Sequence, residues 1–161
     1  MAGCQSVGPV RSQAQPPWTV CFSPRGSCTQ LIVDTLAGAR STVLVQAYSF
    51  TSEPIAQALV EARGRGVDVA VILDKSQRTE DDARTQPLLD AGIPVRIDAA
   101  HAIAHNKVMV IDGETVITGS LNFTKAAEER NAENLLVVRD KVLADRYNAN
   151  WHQHEAHSQS Y

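Results

Sequence analysis

Two runs of the chain, Thr42 to Tyr48 and Val67 to Leu73, are apolar almost throughout, so neither offers a full face to water. Strands buried on both sides need a layer of helices above and below. The segment between them supplies one. Ser52 stands before Glu53-Pro54, a helix-start signature, and Ile55, Leu59 and Ala62 keep helical spacing up to Gly64 or Gly66. The alternation recurs along the chain. Trp18 to Phe22 reads as a strand, and Leu31, Ile32, Thr35, Leu36 and Ala39 place a helix over Thr29 to Arg40. Residues 74–86 form a polar loop leading into a helix that ends at Ala91-Gly92, followed by a short strand at Val95 to Ile97. Thr124 can cap a short helix, Glu133 to Val138 reads as a strand, and a closing helix runs from Lys141 to about His154. The expected fold class is α/β, a mixed β-sheet flanked by helices on both faces. With 161 residues, 43% of them hydrophobic, there is core enough for one domain, assigned to residues 18–161.

Residues 1–17 are rich in Gly, Ser, Gln and Pro without periodicity and read as a flexible arm. Their start, Met1-Ala2-Gly3-Cys4, reads as an artificial or disordered end; the alternative is the remnant of a processed lipoprotein signal with a lipid anchor at Cys4. No run approaches the roughly 18 apolar residues of a membrane span. Fifteen basic against eighteen acidic residues give a net charge of −3. That argues against a protein that coats nucleic acid, and leaves room for a local basic groove on an enzyme. Cys21 and Cys28 flank Pro24, Gly26 and Ser27, where a turn can bring them within disulfide range. Two free thiols fit the spacing as well, and no common zinc pattern does.

The stretch HNKVMVIDGETVITGSLN, His105 to Asn122, carries the chemistry. If His105 to Ile111 is a strand, His105 and Lys107 leave the same face. Asp112-Gly113 is a hairpin-turn pair, so Thr115 to Ser120 returns antiparallel and brings Ser120 and Asn122 back toward His105. Glu133, opening the next strand, can lie beside them and accept the far ring proton of His105. Lys107, Ser120 and Asn122 then supply donors for a group with several anionic oxygens, phosphate above all. Polar groups set among apolar strands cost free energy unless paired, which favours a site over coincidence. Asp112 is assigned a structural role, as a turn residue or as the anchor of a salt bridge.

His105-x-Lys107-x4-Asp112, then Gly119-Ser120-x-Asn122-Phe123-Thr124 and Glu133-Asn134, resembles the phospholipase D superfamily, and within it the small single-motif bacterial endonucleases. The likeness covers roughly residues 18–161. It implies that His105 attacks phosphorus to give a phosphohistidine that water hydrolyses, that Lys107, Ser120 and Asn122 hold phosphate oxygens, and that Glu133 orients the histidine. It implies no metal and no cofactor. The substrate is expected to be DNA, with RNA second; a phospholipid ester and a silent nucleic-acid-binding module are the alternatives. In-line displacement needs a nucleophile on one side of phosphorus and a proton donor on the other. One His105 cannot be both, and His101 lies four residues away, about 13 Å along a strand. A homodimer with the active site on its two-fold axis answers the need, and the resemblance implies the same. It also favours a bacterial envelope, periplasmic or secreted setting, with a cytoplasmic one still open.

Other charged groups carry less. Lys125 and Arg130 are placed at a substrate rim; Arg63 and Arg65 read as helix C-terminal charges and Arg78 and Arg84 as loop surface. His152, His154 and His157 invite a metal, since His154 and His157 can share a helix face, but a frayed, solvated tail is the reading adopted, with no metal assigned.

Overall fold

The computed structural model describes residues 16–78 and 85–161; Cys4 and Arg84 lie outside them. Eight strands form one sheet in the order β1-β7-β6-β5-β2-β3-β4-β8. They are β1 (Trp18–Ser23), β2 (Thr42–Ala47), β3 (Asp68–Asp74), β4 (Val95–Asp98), β5 (Lys107–Ile111), β6 (Thr115–Gly119), β7 (Glu133–Arg139) and β8 (Gln159–Ser160). β2, β3 and β4 run parallel and the other pairings are antiparallel, so the sheet is mixed. The helices are α1 (Cys28–Ala37), α2 (Glu53–Gly64), α3 (Gln86–Asp90), α4 (Lys125–Glu129) and α5 (Lys141–His157).

Helices cover both faces, as the doubly apolar strands require. Ile32 and Leu36 of α1, Ile55 and Leu59 of α2 and Leu88 of α3 pack with Val43, Val45, Val69 and Val71 in the larger core. On the other face Ala144, Leu143 and Tyr147 of α5 meet Val108, Val110 and Val116. Trp151 fixes α5 there, donating its indole N–H to the Val45 carbonyl at 2.9 Å while itself buried. α5 leaves part of this face bare: Trp18, Val20 and Phe22, alternate residues of β1, are exposed. Glu128 of α4 caps α1, accepting from the Cys28 and Thr29 amides at 3.2 and 2.7 Å. Cys21 and Cys28 are joined in a disulfide, which settles the pair left open by their spacing.

Three expectations need correction. The strand expected from His105 begins at Lys107, because the segment before it is drawn aside: the buried Asp74 carboxylate accepts the Ala104 amide at 2.7 Å. Part of the loop expected over residues 74–86 is a 3-10 turn, Lys75–Arg78. The tail is not frayed. α5 continues to His157, Ser158 closes it with its amide and hydroxyl on the His154 carbonyl, and β8 then pairs with β4.

Asp112 holds the far end of the hairpin. It and Gly113 both have positive φ, 55° and 63°, in the three-residue loop, 112–114, that joins paired Ile111 and Thr115. Its carboxylate accepts from the amides of Arg40, Ser41 and Thr42 and from the Ser41 hydroxyl, so its anchor is backbone amide and hydroxyl groups, not the salt bridge considered above. Burial opposes its charge, but these donors outweigh it and hold the carboxyl below its usual 3.8. Stability from this group is therefore present above pH 3.8 and lost as pH falls through the depressed value. Asp112→Ala is expected to cost about 2–3 kcal/mol at neutral pH, and the gap to wild type should narrow in acid. Urea unfolding at both pH values checks this; an equal gap in each would contradict it.

Candidate active site

The C-terminal end of β2, the start of β5, the end of β6 and the start of β7 lie side by side at one end of the sheet. Register fixes this: Ala47 pairs with Lys107, and Gly119 with Leu135. The chemistry-bearing residues sit on these ends. His105 precedes β5 and is exposed, its ring centroid 4.6 Å from that of Tyr48. Lys107 is only 6% exposed. Its ammonium donates to the His105 carbonyl at 2.9 Å and stands 5.0 Å from the Tyr48 ring centre, a cation held against a π face. Burial pushes its pKa down, while the nearby Glu133 charge works the other way. A buried cation whose hydrogen bond among the described residues goes to one carbonyl is well placed to receive an anion.

Ser120 and Glu133 form a connected pair. The Ser120 hydroxyl donates to Glu133 Oε2 at 2.6 Å and accepts from the amide and side chain of Asn134 at 3.0 and 3.2 Å. Asn131 donates to the other carboxylate oxygen at 3.1 Å. Among the described residues no hydrogen bond joins Glu133 to the His105 ring, the contact expected from sequence; within one chain the carboxylate is engaged by Ser120 and Asn131. Asn122 is half-buried, and its Oδ1 is one of two buried side-chain polar atoms without a partner among the described residues. Such an atom costs roughly 1–3 kcal/mol until something bonds to it.

Gly119 makes the close approach possible. Its φ is 150°, and a Cβ there would collide with the Asn134 carbonyl oxygen. The absent side chain lets the amides of Ser120 and Leu121 both reach that carbonyl, at 3.1 and 3.2 Å.

The remaining candidates fall elsewhere. Asp112 is at the opposite end of the hairpin. Lys125 opens α4 and Arg130 follows it; Lys125 pairs with Glu129 at 3.7 Å and borders a cavity of about 360 Å³ that Glu53, Glu128 and Glu129 make acidic. Arg63 faces Asp68 at 3.5 Å, and Arg65 donates to the Leu36 carbonyl. Tyr48, Asn131 and Asn134 were not singled out as site residues by pattern. Asn131 and Asn134 lie within two residues of Glu133 in sequence; Tyr48 had no such signal, because the pairing of β2 with β5 brings it in.

Residues 32–154 match the family described as cardiolipin synthase, PLD-like domain. The chain belongs to the phospholipase D superfamily. It is 44% identical to a phospholipase D of Rickettsia bellii over 133 residues, 83% of this chain and 66% of that protein. It is 37% identical over 119 residues to the mitochondrial cardiolipin hydrolase of Xenopus laevis, covering 74% of this chain and 56% of the relative. The phospholipase D family member Nuc from Salmonella typhimurium superposes with a TM-score of 0.85 at 37% identity, covering 91% of this chain and 99% of that one. This superfamily domain thus spans about two thirds of the Rickettsia relative and nearly all of Nuc.

Proposed function

We propose that this domain is a metal-independent phosphodiesterase acting as a non-specific endonuclease on DNA, with RNA as a second nucleic-acid substrate. The carrying observation is the gathering of His105, buried Lys107, Ser120, Asn122 and Glu133 at one end of the sheet. His105 attacks phosphorus, a P–N bond forms as the P–O bond to the leaving oxygen breaks, and a second imidazole gives that oxygen its proton. Water then cleaves the P–N bond and restores the ring, leaving a 5′-phosphate and a 3′-hydroxyl. Lys107 and the Nδ2 amide of Asn122 donate to phosphate oxygens; Ser120, whose proton goes to Glu133 here, joins them by exchanging that bond. The second imidazole is His105 of another copy across a two-fold axis, so the working unit is a homodimer. The Cys21–Cys28 disulfide favours an oxidising setting, bacterial periplasm, envelope or exterior.

A lipid phosphodiester is the second reading. It is favoured by the names of the Rickettsia and Xenopus relatives and by Ile103, 56% exposed, two residues before His105. Purified protein in excess EDTA, given supercoiled plasmid, RNA and phosphatidylcholine vesicles in parallel, separates the two. Plasmid nicking without choline release is the expected result; choline release alone would replace the nuclease reading with the lipid one.

A further inference from the structure

Beside the phosphodiester residues but sharing none of them, Asp98, His101, His154 and His157 come together where β4 ends and α5 finishes. Asp98 closes β4, the chain then turns so that His101 swings back, and His154 and His157, three apart, share one face of the last helical turn. β8 pairs Ser160 with Arg96 and Gln159 with Ile97, fixing the helix end against the strand that carries Asp98. One donor atom from each of the four lies within 4.8 Å of all the others.

Without an ion the arrangement is awkward. Asp98 Oδ2 has His154 Nδ1 at 2.7 Å, His101 Nδ1 at 3.0 Å and His157 Nε2 at 3.3 Å. His101 Nδ1 also reaches Oδ1, at 3.2 Å, so one carboxylate faces three imidazole rings at once. The rings also crowd one another, with centroids 5.0 to 5.3 Å apart, so protonating all of them would set three positive charges against one negative. A divalent cation inverts the problem: each imidazole contributes a lone pair and the carboxylate its charge. Oδ1 accepts the Ala100 amide at 3.1 Å; with His101 turned onto an ion instead, Oδ2 would act as a single-oxygen ligand. The Asp98 side chain is fully buried, His154 14% exposed, His157 35% and His101 47%, a pocket closed within and open at its mouth.

We propose that Asp98, His101, His154 and His157 form a structural zinc site. Three imidazoles and one carboxylate are a borderline donor set suited to zinc, and less so to the oxygen-seeking magnesium or calcium. Bonds of about 2.0–2.1 Å put tetrahedral ligands about 3.3 Å apart, so the widest pair must close by roughly 1.5 Å, within the reach of ring rotation. Four protein ligands leave no open position, so the ion braces the fold. It ties β4 to α5 and fixes the segment that runs from His101 to His105. The site uses none of the phosphodiester residues, although Asp98 lies at the same end of the sheet as Lys107, and it stands whether or not that reading holds.

Chelator-stripped full-length protein titrated with zinc sulfate in a calorimeter is expected to take up one ion per chain and to melt at a higher temperature when loaded. Cobalt in its place should give the intense visible absorption of a tetrahedral centre. His101→Ala and His157→Ala, both at partly exposed positions, should each weaken zinc binding at least about 100-fold, while His152→Ala should leave it unchanged. No heat, no thermal shift and no tetrahedral cobalt spectrum in the wild type would overturn the proposal. So would full-strength binding in both ligand variants, which would put the ion elsewhere.

Discussion

His105→Ala is expected to reduce cleavage of a phosphodiester substrate to background, a loss of at least about 10⁴-fold, while the circular dichroism spectrum and melting temperature stay close to wild type. The size follows from the role: without the imidazole no covalent intermediate forms, and water must attack an uncleaved diester directly. Stability should hold because the side chain is exposed and its described contact is the Tyr48 ring, while the backbone carbonyl that Lys107 uses survives the change. In a dimeric site the substitution removes nucleophile and proton donor together. Mixing inactive His105→Ala with wild-type chains and allowing exchange should therefore lower activity more than simple dilution. Nicking of plasmid at the wild-type rate by the pure variant would end the proposed mechanism.

Gly119→Ala is the other large effect, and it falls on structure first. A methyl group at this position meets backbone of β7, not a flexible side chain, so one of two neighbouring strands must move. We expect a loss of at least about 3 kcal/mol. The end of β6 is also what delivers Ser120 to Glu133 and Asn134, so any protein that folds should have lost most of its turnover. Thermal denaturation and the plasmid assay measure the two parts. A variant with wild-type stability would mean that the close approach of the strands contributes nothing.

Much of this was readable from residue order because its causes are local. Hydrophobic period placed most of the strands and helices, Asp112-Gly113 fixed the hairpin, and two-residue spacing put Ser120 and Asn122 on one side of it. The pattern did not reveal Tyr48 beneath Lys107, since that contact depends on β2 lying next to β5, a pairing across about 60 residues of chain. Nor did it show that Glu133 is held by Ser120 within the chain. The histidines at the end of α5 were misread for a related reason. Viewed along the sequence they end a polar helix; only the return of His101 and the pairing of β8 with β4 give them Asp98 to face. The start of β5 was misplaced because Asp74, remote in sequence, takes the Ala104 amide.

The uneven cover that α5 gives the sheet equips the molecule with two spectroscopic probes. Of its two tryptophans, Trp151 is 1% exposed beneath α5 and Trp18 is 49% exposed on the bare part of β1. The first indole should emit toward the blue and resist acrylamide, so its red shift times the release of the helix; the second should be readily quenched, and any shielding of it on concentration would mark that strand as a surface where molecules meet.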